Sequence, residues 1–171
     1  MSLAGTIASL NEGADIAHVT VNGLGEKSGN TDIAELALAL KGLYNVETNL
    51  KFDKLIELSK LVERLSNIKV STMKPVVGDM IFTRESGLVV AQMINHPPSV
   101  EGYSPELLGR KRSVALGKKS EKKSIEYVLN ELDINLSEDK IDLVLEKVKN
   151  MSISNKGTVN IEEFKKIIKN L

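Results

Sequence analysis

The residues with the most chemical promise share one loop. Asn22, Glu26 and Asn30 fall within the stretch NGLGEKSGN at 22–30, interleaved with Gly23, Gly25 and Gly29. Two amides and a carboxylate among glycines that permit positive φ make either a polar site or an ordinary strand-to-helix loop. The spacing argues against one specific chemistry. A dinucleotide-binding loop needs glycine at its first, third and sixth positions, and the sixth here is Ser28. Nor does a second parallel strand ending in an acidic residue follow about 20 residues on.

The flanking elements give the loop its setting. Residues 4–11 read as a short helix ending near Gly13, with no capping residue at its start, as though cut from a longer one. Residues 1–3 read as a leader. Residues 16–21 (IAHVTV) read as a buried, β-branched strand. Thr31 or Asp32 is placed to cap a helix whose apolar stripe is Ile33, Leu36, Ala37, Leu40 and Leu43, weakened at its end by Gly42. Helix, strand, glycine loop, helix is one and a half α/β repeats. It puts the loop at the carboxyl end of a strand, where (β/α)₈ barrels carry their sites.

Further on, Asp53 is placed to cap a helix burying Leu55, Ile56, Leu58, Leu61, Val62 and Leu65, with Glu57, Lys60, Glu63 and Arg64 on its wet face. Lys74-Pro75 breaks that pattern. Residues 76–95 read as a turn and a buried helix closed by His96-Pro97-Pro98, and this Pro-Pro, with Gly102 and Ser104-Pro105, marks the clearest internal boundary. A short strand at 113–116 and helices at 119–132, 137–149 and 161–171 follow, Ser137 giving a one-sided cap. The fold class is mainly α with minor β, in three parts: 1–50, 51–110 and 111–171.

Composition narrows the function classes. The 171 residues hold 23 basic and 23 acidic side chains, so no net field draws the chain to nucleic acid or anionic membrane. Cysteine is absent, which excludes disulfides, thiolate catalysis and Cys-ligated zinc. Tryptophan is absent too, arguing against a stacking platform for single strands. No apolar run approaches the roughly 18 residues of a membrane span, and the start is no signal peptide, so a cytoplasmic protein is expected. His18 reads as a core or lining histidine, and His96 as an exposed helix end. The cations Arg110, Lys111, Arg112, Lys118, Lys119, Lys122 and Lys123 read as a solvated face, with a phosphorylated cofactor as the alternative. Residues 152–164 mimic a calcium loop at Gly157 and Glu163, yet Ser152, Ser154 and Lys156 stand where carboxylates are needed, so calcium is not expected.

Four segments in order resemble one enzyme family. TVNGLGEKSGN at 20–30 is similar to the T-x-N-G-x-G-E-R-x-G-N of α-isopropylmalate, citramalate and homocitrate synthases, with Lys27 for the common Arg. KPVVGDMIFTRESG at 74–87 resembles the family's P-x-V-G-x-x-x-F-x-H-E-S-G. YSPELLG at 103–109 resembles Y-x-P-E-x-x-G, and LGKKS at 116–120 resembles L-G-K-x-S-G, with Glu121 replacing the glycine. The resemblance implies the last strand and helices of a (β/α)₈ TIM barrel of the DRE-TIM metallolyase superfamily, in 1–50, then a helical linker and dimerisation subdomain in 51–110 and a helical subdomain in 111–171.

It also implies a chemistry. In that family a divalent metal (Mg, Mn or Zn) polarises the keto group of a 2-oxo acid, acetyl-CoA loses a methyl proton, and the carbanion adds to the keto carbon before thioester hydrolysis. Carried over, Asn30 is the metal ligand. Glu26 and Glu85 are the catalytic acids, and Thr20, Asn22, Arg84 and Tyr103 bind substrate. The family's other metal ligands, an Asp and a His-x-His pair, are not in this chain. Arg84 and Val89 stand where the family has the histidines linked to proton transfer, and arginine is no base near neutral pH. It can clamp a carboxylate or CoA phosphates, or pair with Glu85 or Asp79. The chain alone is therefore expected to be inactive and to form a homodimer within a longer enzyme. The alternatives are a hydroxymethylglutaryl-CoA-lyase-like enzyme, disfavoured by the missing loop cysteine, and a non-catalytic dimerisation fragment.

Overall fold

Apolar residues three and four apart, set between capping residues, turn most of the chain into helix. The computed structural model describes residues 1–27 and 29–171. Among the described residues are α1 (Ser2–Asn11), α2 (Ile33–Tyr44), α3 (Leu55–Ser66), α4 (Gly87–Asn95), α5 (Lys122–Glu131), α6 (Glu138–Asn155) and α7 (Ile161–Lys169). The strands are two residues each, β1 (Thr83–Arg84) and β2 (Ser113–Val114), paired in parallel with Thr83 opposite Ser113. The mainly α, minor β architecture is thus as expected. Met1–Ile81 with Tyr103–Lys111 forms one compact unit, and Phe82–Gly102 with Arg112–Leu171 the other.

In the first unit Asp32 caps α2, its side chain accepting from Ala34 N at 2.7 Å. Leu36, Ala37, Phe52, Leu55, Val77 and Leu108 are buried there, and the short turn Phe52–Lys54 packs on the turn Pro105–Leu108. Several expectations need correction. Residues 16–21 form no strand. Thr20 makes one isolated parallel bridge to Asp32 through Thr20 N to Thr31 O at 2.9 Å and Ile33 N to Thr20 O at 3.0 Å. A strand needs a ladder of neighbours to satisfy its backbone, and this stretch has a single rung. Asp53 lies inside a 3-10 turn rather than capping α3. Leu61 and Leu65 are 39% and 74% exposed because the apolar stripe of α3 is wider than the surface it packs on. Ser2 and Leu3 are helical, at the start of α1.

The second unit has the fuller core. Leu116, Ile125, Val128, Leu129, Ile141, Val144, Val148, Val159, Phe164 and Ile167 form one cluster between α5, α6 and α7. Each fully buried aliphatic or aromatic side chain there contributes about 1.5–3 kcal/mol. Reciprocal capping boxes open α5 (Glu121 with Ser124) and α7 (Asn160 with Glu163). Ser137 makes no side-chain cap bond to α6, which runs on to Asn155 and stops at Lys156 in a left-handed conformation. The turn and helix expected over 76–95 are both present, as repeated turns up to residue 82 and then α4.

Candidate functional site

The glycine loop is a corner pinned at both ends. Asn22 sits at φ 60°, in the left-handed region that a short amide tolerates. Its Nδ2 donates to Ser59 O on α3 at 3.0 Å, and Ser59 Oγ donates to its Oδ1 at 2.6 Å. Asn22 therefore ties the loop to α3 with both of its amide atoms. Asn30 closes the other end, its backbone N donating to Gly23 O at 2.9 Å and its Nδ2 to Leu24 O at 3.0 Å. Gly25 makes that fold-back possible, because a Cβ there would lie 2.6 Å from Asn30 Nδ2. Asn30 is exposed, and its Nδ2 bond to Leu24 leaves the carbonyl oxygen with acceptor capacity.

Thr20 Oγ1 is buried with no hydrogen-bond partner. Thr20, Asn30 and His18 line a cleft of about 710 Å³ beside α1. His18 is exposed there, so it is a lining and not a core histidine. Glu26 is exposed at the loop's turn. Among the described residues no group of three His, Cys, Asp or Glu side chains can hold a metal ion. An amide and an orphaned hydroxyl lining one cleft fit part of a cation's oxygen shell and no more.

A residue the sequence reading left aside anchors the loop's exit. Lys74 Nζ lies 3.0 Å from Asp32 Oδ2 and 2.8 Å from Glu35 Oε1. The Asp32 contact is an ion pair and not an aligned hydrogen bond, for Oδ2 has no hydrogen-bond partner. Burial works against the lysine's charge. The hydrogen bond that Lys74 donates to Glu35 and the nearby Asp32 carboxylate outweigh it and hold the ammonium's pKa above the ordinary lysine value. The only sequence signal was its place just before Pro75 in the second matching segment.

The turn after Lys74 is held by the third segment. Val76, nearly fully buried, has φ 66°, and Val77 N donates to Pro75 O at 2.8 Å, a γ-turn that is strained at a β-branched residue. Arg110 donates to Gly78 O at 2.9 Å and Asp79 O at 2.7 Å. Burial raises the Tyr103 pKa, with a hydrogen bond to the Val76 backbone and the Arg110 charge opposing it. Tyr103, expected to bind substrate, thus has its hydroxyl at the Val76 corner.

Comparison with known proteins agrees with these segments. Residues 1–62 match the HMGL-like family model, and residues 76–156 match the homocitrate synthase post-HMGL domain-like model. The chain belongs to the isopropylmalate, citramalate and homocitrate synthase family. It is 40% identical over 157 residues to a putative (R)-citramalate synthase of Archaeoglobus fulgidus, covering 92% of this chain and 32% of that one. It is 40% identical to a 2-isopropylmalate synthase of Saccharolobus solfataricus over 98% of this chain and 43% of the relative. With a homocitrate synthase of Methanothermobacter thermautotrophicus the identity is 37% over 100% of this chain and 44% of the relative. The chain thus spans less than half the length of these curated relatives.

In the second unit the synthase family's glycines find a physical reason. Glu85 Oε1 accepts from Lys119 N at 3.0 Å, and a Cβ on Gly117 would lie 2.5 Å from that oxygen. Gly87 N donates to Lys119 O at 3.3 Å, and a Cβ on Gly87 would meet Glu121 Cβ at 2.2 Å. Segments 83–87 and 113–121 therefore interlock. Glu121, at the family's glycine position, caps α5 instead. Arg84 Nη1 donates to Thr83 O at 3.0 Å and Nη2 to Val100 O at 3.1 Å. The other cations are largely committed: Arg112 to Glu101, Lys122 to Asp142 and Lys123 to Glu126. Glu163, at the last position of the calcium-loop mimic, is used by its capping box with Asn160, and Ser152 Oγ donates to Gly157 O at 2.7 Å.

Proposed function

We propose that this chain supplies part of an acyltransferase that condenses acetyl-CoA with a 2-oxo acid; its relatives are named citramalate, 2-isopropylmalate and homocitrate synthases. The observation that supports the reading is the Asn30 amide, whose nitrogen is held by Leu24 O and which lines the cleft beside α1 with Thr20. Residues 1–50 contribute the end of a TIM barrel, 51–110 a linking and dimerisation region, and 111–171 a helical subdomain. Asn30 is one oxygen ligand of a divalent cation. Bound there, the cation supplies an electrophile for the keto oxygen of the 2-oxo acid. Thr20 Oγ1, orphaned beside it, is a hydrogen-bond donor for that acid, and Glu26 supplies a carboxylate at the same loop.

Asn22 acts through the loop it ties to α3, and Tyr103 through the Val76 corner. Arg84 and Glu85 act at the barrel of a second copy in a homodimer. Arg84 clamps an anionic group and Glu85 offers the oxygen not taken by Lys119. A base takes a proton from the acetyl methyl, the carbanion adds to the keto carbon, and the keto oxygen takes up a proton to become a hydroxyl; water then cleaves the thioester C–S bond to give a carboxylate and free CoA. The enzyme is cytoplasmic. Among the described residues no helix is long and apolar enough to cross a membrane.

The test uses the full-length protein with acetyl-CoA, a panel of 2-oxo acids and Mg²⁺, Mn²⁺ or Zn²⁺. Thiol release with at least one acid is expected, and none with any combination overturns the reading. Asn30→Ala is expected to weaken divalent-metal binding by about tenfold or more. Unchanged affinity removes Asn30 from the site.

A further inference from the structure

We infer that Lys74 is a positioning residue for the metal-binding loop. Its ammonium, lodged between Asp32 and Glu35, sets where the Asn30 oxygen stands. The inference rests on the assignment of Asn30 above and extends it to a residue 44 positions away in the chain.

The lysine's own position is fixed first. Gly78 N donates to Lys74 O at 2.9 Å, and a Cβ on Gly78 would lie 2.6 Å from Lys74 O and 2.7 Å from Lys74 N. The 74–78 backbone is thus folded onto itself, and Arg110 holds its far side through Gly78 O and Asp79 O. From that base the side chain reaches the start of α2.

What it meets there is a buried carboxylate. Asp32 is 4% exposed, and its Oδ1 is already used to cap α2 at Ala34 N. Oδ2 has the Lys74 charge at 3.0 Å and no hydrogen bond. A carboxylate this buried, deprived of its cation, must move toward water or take up a proton. Either outcome disturbs the loop. Thr31 and Ile33, on both sides of Asp32, carry the two bonds of the Thr20 bridge. Asp32 Cβ is 3.8 Å from where a Gly23 Cβ would lie, and Asn30 N is bonded to Gly23 O. Asp32, the bridge and the Asn30 end of the loop are one connected assembly, and Lys74 is the cation that closes it. Groups that orient a metal ligand from behind commonly change metal affinity by about 10–100-fold when removed.

The experiment titrates Mn²⁺ into full-length Lys74→Gln, Lys74→Arg, Glu35→Gln and Asn30→Ala proteins, and follows thermal unfolding of each. Lys74→Gln is expected to weaken Mn²⁺ affinity about tenfold, Lys74→Arg to recover most of it, and Glu35→Gln to cost less, since Asp32 keeps its ion pair. A lowered melting temperature with unchanged Mn²⁺ affinity would make Lys74 a purely structural residue and overturn the inference. If Lys74→Gln fails to fold, unchanged Mn²⁺ affinity in Asp32→Asn, which removes the same ion pair from the other side, overturns it instead. Should Asn30→Ala bind Mn²⁺ as the parent does, the assignment of Asn30 falls. Loss in Asn30→Ala without loss in Lys74→Gln leaves that assignment standing and removes only Lys74.

Discussion

Individual side chains here do more holding than reacting. Arg112 and Glu101 show it most clearly: Nε and Nη2 fork onto the carboxylate at 2.8–3.1 Å, with the Glu101 side chain 4% exposed. Removing one half of such a pair leaves the other charge in a poor solvent. Glu101→Ala is therefore expected to cost about 3 kcal/mol in urea unfolding, and Glu101→Gln less, because the amide still accepts. Alkali tests the Val76 corner and the loop's exit together. Lys74 has a raised pKa, so the stability it adds is fully present below 10.5 and is lost as pH rises through its folded value. Tyr103 is raised as well, and above 10 the unfolded chain releases its phenolic proton first, which again favours unfolding. Melting temperature should fall steadily above pH 10, and the fall should be shallower in Tyr103→Phe.

At the scale of elements, termini matter more than interiors. The Asn160–Glu163 box satisfies two otherwise unpaired amides at the start of α7, with bonds of 3.0 and 2.9 Å. Asn160→Ala is expected to lower stability by about 1 kcal/mol, read as a shift in urea midpoint with unchanged slope. This box was legible as Asn-x-x-Glu before an apolar run, yet the same letters were read as the tail of a failed calcium loop. The helices were legible for the usual reason: Leu, Ile and Val recur on one face of α5, α6 and α7. The stretch 16–21 was not, because local preference for a strand is met only when neighbouring strands accept its bonds. The fold-back of Asn30 onto Leu24 and the grip of Lys74 on Asp32 depend on contacts across 6 and 42 positions, which periodicity cannot reveal. Within the matching segments, Asn22 is fastened to α3 and Tyr103 to the Val76 corner.

For the molecule as a whole, apolar surface is left over. Ile16 and Leu43 are each 78% exposed and Leu65 74%, more than a solitary soluble chain gains from showing to water. The 171-residue polypeptide by itself is expected to self-associate in sedimentation velocity, and Leu65→Glu to reduce association without lowering the melting temperature. A chain that stays monomeric at all concentrations would contradict this. The backbone also passes between the two units three times, at 81–82, 102–103 and 111–112. No single cut of the gene can therefore release either unit whole. An upstream piece ending at residue 81 would leave behind Tyr103 and Arg110, the two side chains that brace the Val76 corner. A minimal expression of the glycine loop must splice 103–111 back on behind a short bypass. Proteolytic nicking in 82–102 would spare the first unit's covalent pieces while separating them.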